Sequence, residues 1–275
     1  MKKFLKLFIP PIISKIYSWL RLRGRGKIFS GIYSRSDEVC DQNPWIQSFW
    51  INDSQAKLVS TRSYGNKTDL PFMPKHQLGY LEYPAVLINL LSSRAPVHVL
   101  DLGGGTGFSF FKMWPYLSSP KNVFYHVQDS NLELFALGRW NSEYMGLSNS
   151  INFHYLEIPT DHRFDILYVN TSMQYIYNWR KMLAELLRHE FKYLVFTRML
   201  AGNMKEFITC QTIGGFSTQC MFINFSEFKD FLHSKDYHLI SKSSCEEDEL
   251  SDCYDNNIGN EFRIPHSVNL IFERM

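Results

Sequence analysis

Residues 99–107, VLDLGGGTG, place an apolar run, an acid and four glycines within nine positions. Glycine costs backbone entropy on folding, so a cluster of it must serve a purpose. A buried strand ending at Asp101-Leu102 and turning through Gly103, Gly104, Gly105 and Gly107 lets backbone approach a ligand closely. The helix that follows offers its N-terminal N–H groups to an anionic group. That is the chemistry of a cofactor cradle; a bare strand-to-helix turn needs only one or two glycines. Two common cradles do not fit. The nicotinamide pattern G-x-G-x-x-G/A wants a small sixth residue, and Phe108 stands there. The phosphate loop wants G-x-x-x-x-G-K-S/T, and Lys112 has no such neighbours in frame.

The surrounding pattern supplies the elements that must carry this loop. YPAVLINLLSS, GFSFFKMWPYL, NLELFALGRWNSEYMG, NWRKMLAELLRHE and SEFKDFLHSKD have helical spacing, the last with Ser226 as N-cap. VHVLDL, NVFYHVQ, INFHYLE, FDILYVN, YLVFTRM, HLISKSS and SVNLIFERM read as strands. Strands alternating with helices imply an α/β fold with a mostly parallel sheet covered on both faces. The last two strands lack a helix between them and form an antiparallel hairpin, joined by the acidic loop CEEDELSDCYDNN. The stretch between YLVFTRM and SEFKDFL is irregular. GIYSRSDEV reads as a loop entering a helix with Ser36 as N-cap, and RSYGNKTDLPFMP as loop. The chain divides into a basic amphipathic segment (1–27), a cap region (28–80) and the main domain (81–275).

Composition narrows the function. With 275 residues, 45% hydrophobic and 16% aromatic, the chain builds a sizeable core. A net charge of +2 gives no case for nucleic acid. Up to Ser36 there are nine basic residues and no acid; the remainder holds 20 basic and 27 acidic residues. Apolar residues at Ile12, Ile13, Ile16, Tyr17 and Leu20 make a one-sided stripe behind Pro11. Two readings stand: an interfacial helix on an anionic membrane surface, or a helix packed on its own domain. No cleavage site follows it, and no apolar run is long enough to span a bilayer. Cys40, Cys210, Cys220, Cys245 and Cys253 are odd in number, widely spaced and without a CxxC pair. They read as reduced thiols of a cytoplasmic protein, not a disulfide frame or zinc site.

The spacing Gly103-x-Gly105-x-Gly107 behind Asp101 resembles motif I of the class I S-adenosylmethionine-dependent methyltransferases, hhDhGxGxG. FDILYVNTSMQYI, YLVFTRML, FITCQT and MFINFSEFKDFL further resemble a poorly characterised bacterial methyltransferase family associated with surface-polysaccharide gene clusters. The resemblance implies a Rossmann-like, seven-stranded sheet with a terminal antiparallel hairpin, preceded by an N-terminal helical and irregular extension. It implies S-adenosylmethionine as cofactor, with its methionine end at Asp101, Gly103, Gly104, Gly105 and Gly107. Such enzymes place an acid at the end of the second strand to hold the ribose. In register that place is Gln128, and Asp129 is one later; a shift of one residue turns a side chain to the other face. Both stay candidates, with the carboxylate the better acceptor.

Methyl transfer is an in-line displacement that needs alignment and exclusion of water. The end of the fourth strand faces that point, with Asn170 toward the cofactor and Ser172, Gln174 and Tyr175 toward substrate. Arg198, after the fifth strand, suits an anionic substrate or a structural ion pair. Gln211 is singled out by the resemblance alone. His154 reads as a packed or surface histidine, His162 as solvated, and Glu246–Glu249 as a solvated run without metal-ligand spacing. No residue stands out as a general base. The resemblance thus implies O-methylation of a saccharide or other glycan precursor. A non-catalytic scaffold of the same fold within a glycan-assembly complex is the second expectation.

Overall fold

Val97–Leu102 (β2) is apolar at nearly every place and buried on both faces, as a central parallel strand must be. It lies at the centre of a seven-stranded sheet in a computed structural model that describes residues 27–65, 78–158 and 163–275. The N-terminal stripe and His162 lie outside the described residues. In chain order the elements are β1 (Phe29–Tyr33), α1 (Ser48–Gly65), α2 (Glu82–Ser92), β2, α3 (Phe108–Met113) and β3 (Val123–Asp129). There follow α4 (Leu132–Tyr144), β4 (Ile151–Tyr155), β5 (Ile166–Asn170), α5 (Trp179–Leu186) and β6 (Tyr193–Met199). The chain closes with β7 (Ala201–Gly202), β8 (Phe207–Ile213), β9 (Phe216–Asn224), α6 (Phe225–His233), β10 (Tyr237–Glu249) and β11 (His266–Arg274).

The large sheet has the order β10-β11-β6-β5-β2-β3-β4. Strands β2 to β6 are parallel, while β11 runs antiparallel to both β6 and β10. The seven expected strands and the terminal hairpin are all present. Strand order reverses between β2 and β5, the place where open α/β sheets bind ligands. Alternation along the strands divides the core. Leu100, Leu102, Leu167 and Val169 pack toward Trp179, Leu183 and Phe228. Val97, Val99, Tyr125, Val127 and Tyr168 pack toward Ala85, Ile88, Phe110, Phe111 and Phe135 on the other face. The first face is covered by α5 and α6, the second by α2, α3 and α4.

A second sheet, β1-β8-β9-β7, was not expected. Gly31, Ile32 and Tyr33 of GIYS belong to strand β1, which pairs antiparallel with β8 (Phe29 opposite Gln211), and the stretch taken as irregular is a hairpin. Its turn is Gly214-Gly215, both with positive φ (58° and 87°), the conformation a two-residue hairpin demands. Phe29, Phe207, Cys220, Phe222, Tyr254 and Ile264 give this sheet a small core of its own. Other local readings also shift. Residues 36–38 form a single three-ten turn behind Arg35, so Ser36 is not a helix N-cap. Helix α1 runs on through Arg62 to Gly65. Helix α6 is capped by Asn224, not Ser226, through a bond from the Glu227 N–H of 3.0 Å. Strand β10 continues through Glu246–Glu249, so part of the expected acidic loop is strand. No disulfide joins any of the five cysteines, all of which lie among the described residues.

Candidate functional site

The glycine loop leaves β2 at the switch point. Gly103, Gly105 and Gly107 have φ of 69°, 55° and 72°, a region that L side chains enter only under strain. Space forbids side chains as well. A Cβ on Gly103 would lie 2.7 Å from that of Ser172, and one on Gly107 would lie 2.6 Å from the Ile151 methyl. Gly104 sits directly on the Asp101 carboxyl group, 2.6 Å from where its Cβ would be. Ser172 donates to the Leu102 carbonyl at 2.8 Å and so ties the end of β5 to the end of β2.

Asp101 is 1% exposed. The Tyr125 hydroxyl donates to its Oδ2 at 2.7 Å, while Oδ1 is buried with no partner among the described residues. Burial pushes its carboxyl up to about 7; the Tyr125 hydrogen bond opposes that shift and the Asp129 charge adds to it. Burial also drives the Tyr125 phenol well above its ordinary range.

Asp129 stands beside the loop and Gln128 does not. Asp129 Oδ2 accepts the Gly105 N–H at 2.9 Å; Oδ1 accepts those of Ser130 (2.7 Å) and Asn131 (3.0 Å). Burial raises its carboxyl pKa, and these three N–H groups restrain the rise. Gln128 lies on the opposite face and donates to the Leu156 carbonyl at 3.2 Å. The parity of the strand explains the choice: Asp129 shares the face of Tyr125 and Val127, the one onto which Asp101 points.

A set of residues that the sequence did not single out closes the site. Asn131 caps α4 and donates to the Trp45 carbonyl at 2.8 Å. The Trp45 ring meets that of Tyr175 at 4.7 Å and that of Trp50 at 4.8 Å. Tyr175 returns to Ser172 through its backbone N–H (3.1 Å) and donates its hydroxyl to Gln211 Oε1 at 2.8 Å. Gln211, which had no physical role in the sequence, therefore anchors Tyr175. Contacts thus run in a circuit from Gly105 through Asp129, Asn131, Trp45, Tyr175 and Ser172 back to Gly103, around the carboxyl ends of β2, β3 and β5. Gln174 is buried, with its Oε1 unpartnered, and lines a small cleft with Tyr175, Tyr177, Ile208, Gln219, Cys220 and Met221. That cleft lies against the second sheet, through Ile208 of β8 and Gln219, Cys220 and Met221 of β9.

Asn170 and Arg198 belong to a neighbouring cluster. Asn170 Oδ1 accepts from the Thr197 hydroxyl at 3.1 Å. Arg198 Nε and Nη2 both donate to Asp248 at 2.8 Å, and its guanidinium lies 5.0 Å from the Tyr80 ring centre. Tyr80 also bonds Asn170, and burial raises its phenol pKa. Burial works against the charge of Arg198, but Asp248 outweighs it and raises the pKa. Thr171 and Arg198 both have positive φ (56° and 55°), and the Thr171 N–H donates to the Thr197 carbonyl at 3.1 Å. Two strained non-glycine residues side by side at the carboxyl edge mark a site held by its surroundings. His154 stacks on His126, and His126 on His98, on the sheet face opposite Asp101. Among the described residues no cluster has the makings of a metal site. No helix there is long and apolar enough to cross a membrane.

No family model matches the chain, and no curated protein matches it in sequence. Solved structures do match. One is a Burkholderia thailandensis 1,6-didemethyltoxoflavin-N1-methyltransferase with bound 1,6-didemethyltoxoflavin and S-adenosylhomocysteine. Its TM-score is 0.50 at 11% identity, covering 89% of this chain and 99% of that one. A magnesium protoporphyrin IX methyltransferase from Synechocystis PCC 6803 with bound SAH matches at TM-score 0.49 and 10% identity, covering 83% and 99%. A S-adenosylmethionine-dependent methyltransferase from Clostridium acetobutylicum matches at 0.47 and 12%, covering 80% and 98%. At such identities the likeness is one of fold, and it is the first that carries it.

Proposed function

We propose that the chain is a S-adenosylmethionine-dependent methyltransferase whose acceptor is a hydroxyl on a saccharide or other glycan precursor. One observation carries the reading: a left-handed glycine loop at the switch point lies over a fully buried carboxylate with one unpartnered oxygen. The fit to the cofactor is chemical. Its carboxylate suits backbone N–H donors, its ammonium suits Asp101, and its ribose hydroxyls suit Asp129. When bound, the cofactor supplies an electrophilic methyl group. The chain's own part is to hold and align. Gly103, Gly104, Gly105 and Gly107 permit close backbone approach, while Trp45 and Tyr175 exclude water above the sheet edge. Ser172, Tyr175 and Gln211 are uncharged and already bonded within the protein, so on this reading they shape the acceptor's surroundings, and Gln174 lies in the adjoining cleft. Arg198 is already occupied by Asp248, which favours a neutral acceptor over an anionic one. The glycan class itself draws on the sequence resemblance to the polysaccharide-associated family.

A scaffold without turnover is the second reading. It is favoured by Asp129, whose oxygens already take three backbone N–H groups. Calorimetric titration of S-adenosylmethionine and, separately, of NADH tests the cradle, with Gly105→Val as control. Saturable binding of the methyl donor alone, lost in the variant, supports the reading. Binding of NADH alone, or of neither by folded protein, overturns it. Formation of S-adenosylhomocysteine with glycan acceptors then separates enzyme from scaffold.

A further inference from the structure

We propose that Tyr125 is a positioning residue for the cofactor: by donating to Asp101 Oδ2 it keeps Oδ1 available beneath the glycine loop for the positively charged end of the methyl donor. The proposal rests on the methyl-donor reading above. Its geometry is local and complete. The hydroxyl lies 2.7 Å from Oδ2, the carboxyl is 1% exposed, and a side chain in place of Gly104 would put its Cβ 3.0 Å from Oδ1. A carboxylate needs several donors to be stable when buried, and here the protein supplies one. The remaining acceptor is what a cation would complete.

The groups that bear on Asp101 come from three directions. Strand β3 contributes Tyr125 and Asp129, and β5 contributes Tyr168. The turn before α2 brings Tyr80, which acts on Tyr125 and Tyr168, and α3 brings the uncharged Ser109, bonded to Tyr168. Among the described residues none of these is a cation, so the pair has no internal counter-ion. Burial holds the free carboxyl near about 7, and a cationic ligand stabilises its ionised form. Binding therefore expels a proton near neutral pH and weakens as pH falls through that value. Removing the Tyr125 hydroxyl removes a donor to the ionised form and moves the carboxyl further up.

The test has two arms. Carbon NMR of aspartate-labelled protein, with the signal assigned by Asp101→Asn, follows the carboxyl from pH 5 to 9. Tyr125→Phe should raise its midpoint by about one unit, since a hydrogen bond to a charged group is worth roughly a tenfold change in equilibrium. An unchanged midpoint overturns the proposal whatever the ligand is. Calorimetry of S-adenosylmethionine then compares wild type with Tyr125→Phe. The variant should bind roughly tenfold more weakly at pH 6.5, and the two should converge by about pH 9. The ligand's own amine is common to both and cancels in the ratio. Paired buffers of different ionisation heat should show proton release on binding. A ratio constant across pH means general damage and overturns the proposal. If the midpoint moves but wild type binds no methyl donor at any pH, the ligand assignment falls with the methyl-donor reading, and the Tyr125 pairing stands.

Discussion

Two charged residues, Asp101 fully buried and Arg198 half-buried, sit at the same edge of the large sheet and are built in opposite ways. Arg198 has its fork filled by Asp248, which also accepts from Ser267 at 2.8 Å. Asp101 has one donor, from Tyr125, and an open oxygen. A buried charge must be compensated by something. Where the compensation is internal, the group holds structure; where it is incomplete, an acceptor or donor is left over for a further partner. The sequence treats the two alike, as single charged residues at strand ends. The structure gives Arg198 an internal partner and leaves Asp101 with one oxygen unpartnered among the described residues.

The largest effects should come from the glycines and should break the cradle at two different levels. Gly107→Val combines left-handed strain with a Cβ 2.6 Å from Ile151 in the core. It should cost about 4 kcal/mol of stability in urea denaturation. Gly105→Val carries the strain alone, because its Cβ would meet only Leu134 at 3.4 Å and Asp129 at 4.0 Å. It should lose only about 1–2 kcal/mol, and it should abolish measurable methyl-donor binding in calorimetry. Arg198→Ala comes next. It leaves the half-buried Asp248 with only the Ser267 hydroxyl, and should cost about 1–2 kcal/mol in the same denaturation series. Its methyl-donor affinity should stay within about twofold of wild type; a large loss of affinity would erase the contrast between the clusters.

Asp101 should announce itself through pH. A carboxyl raised from 3.8 to about 7 is protonated in the folded chain at pH 5 and ionised in the unfolded one. The unfolded state then binds fewer protons, so this group's contribution to stability falls as pH rises between those values. Relative to Asp101→Asn, wild type should lose about 2 kcal/mol between pH 5.5 and 8 in denaturation curves. Parallel curves for the two proteins would show that Asp101 titrates normally. The smallest effects separate the neighbours at the end of β3. Asp129→Asn should cost about 1 kcal/mol of stability and weaken methyl-donor binding roughly tenfold. Gln128→Ala should change stability by less than about 0.5 kcal/mol and leave the affinity unaltered.

Much of this frame was legible in the residues. The seven strands and five of the helices follow from periods of 2 and 3.6, which are local properties of the chain. The Gly214-Gly215 hairpin was equally legible: FITCQTI and FSTQCMFIN flank a two-glycine turn. The side of Asp129 could also be read from parity with Tyr125, since residues two apart share a face. Strand β1 could not be read. Five residues with a glycine among them become a strand only by pairing with β8, about 180 positions later. Trp45 and Tyr80 reach the site by the way the chain before β2 folds over the sheet, which no period encodes.

The sequence by itself determined the glycine loop's place behind a buried strand and the need for left-handed backbone there, because glycine's freedom belongs to each residue alone. It also determined the sheet's alternation with helices. Only the tertiary structure decided which charges are answered within the protein. Arg198 finds Asp248 50 residues away, while Asp101, among the described residues, finds Tyr125 and leaves its other oxygen unpartnered. Such pairings depend on strand register and on what the fold brings overhead, and the burial that gives them their energy exists only once the sheet has closed.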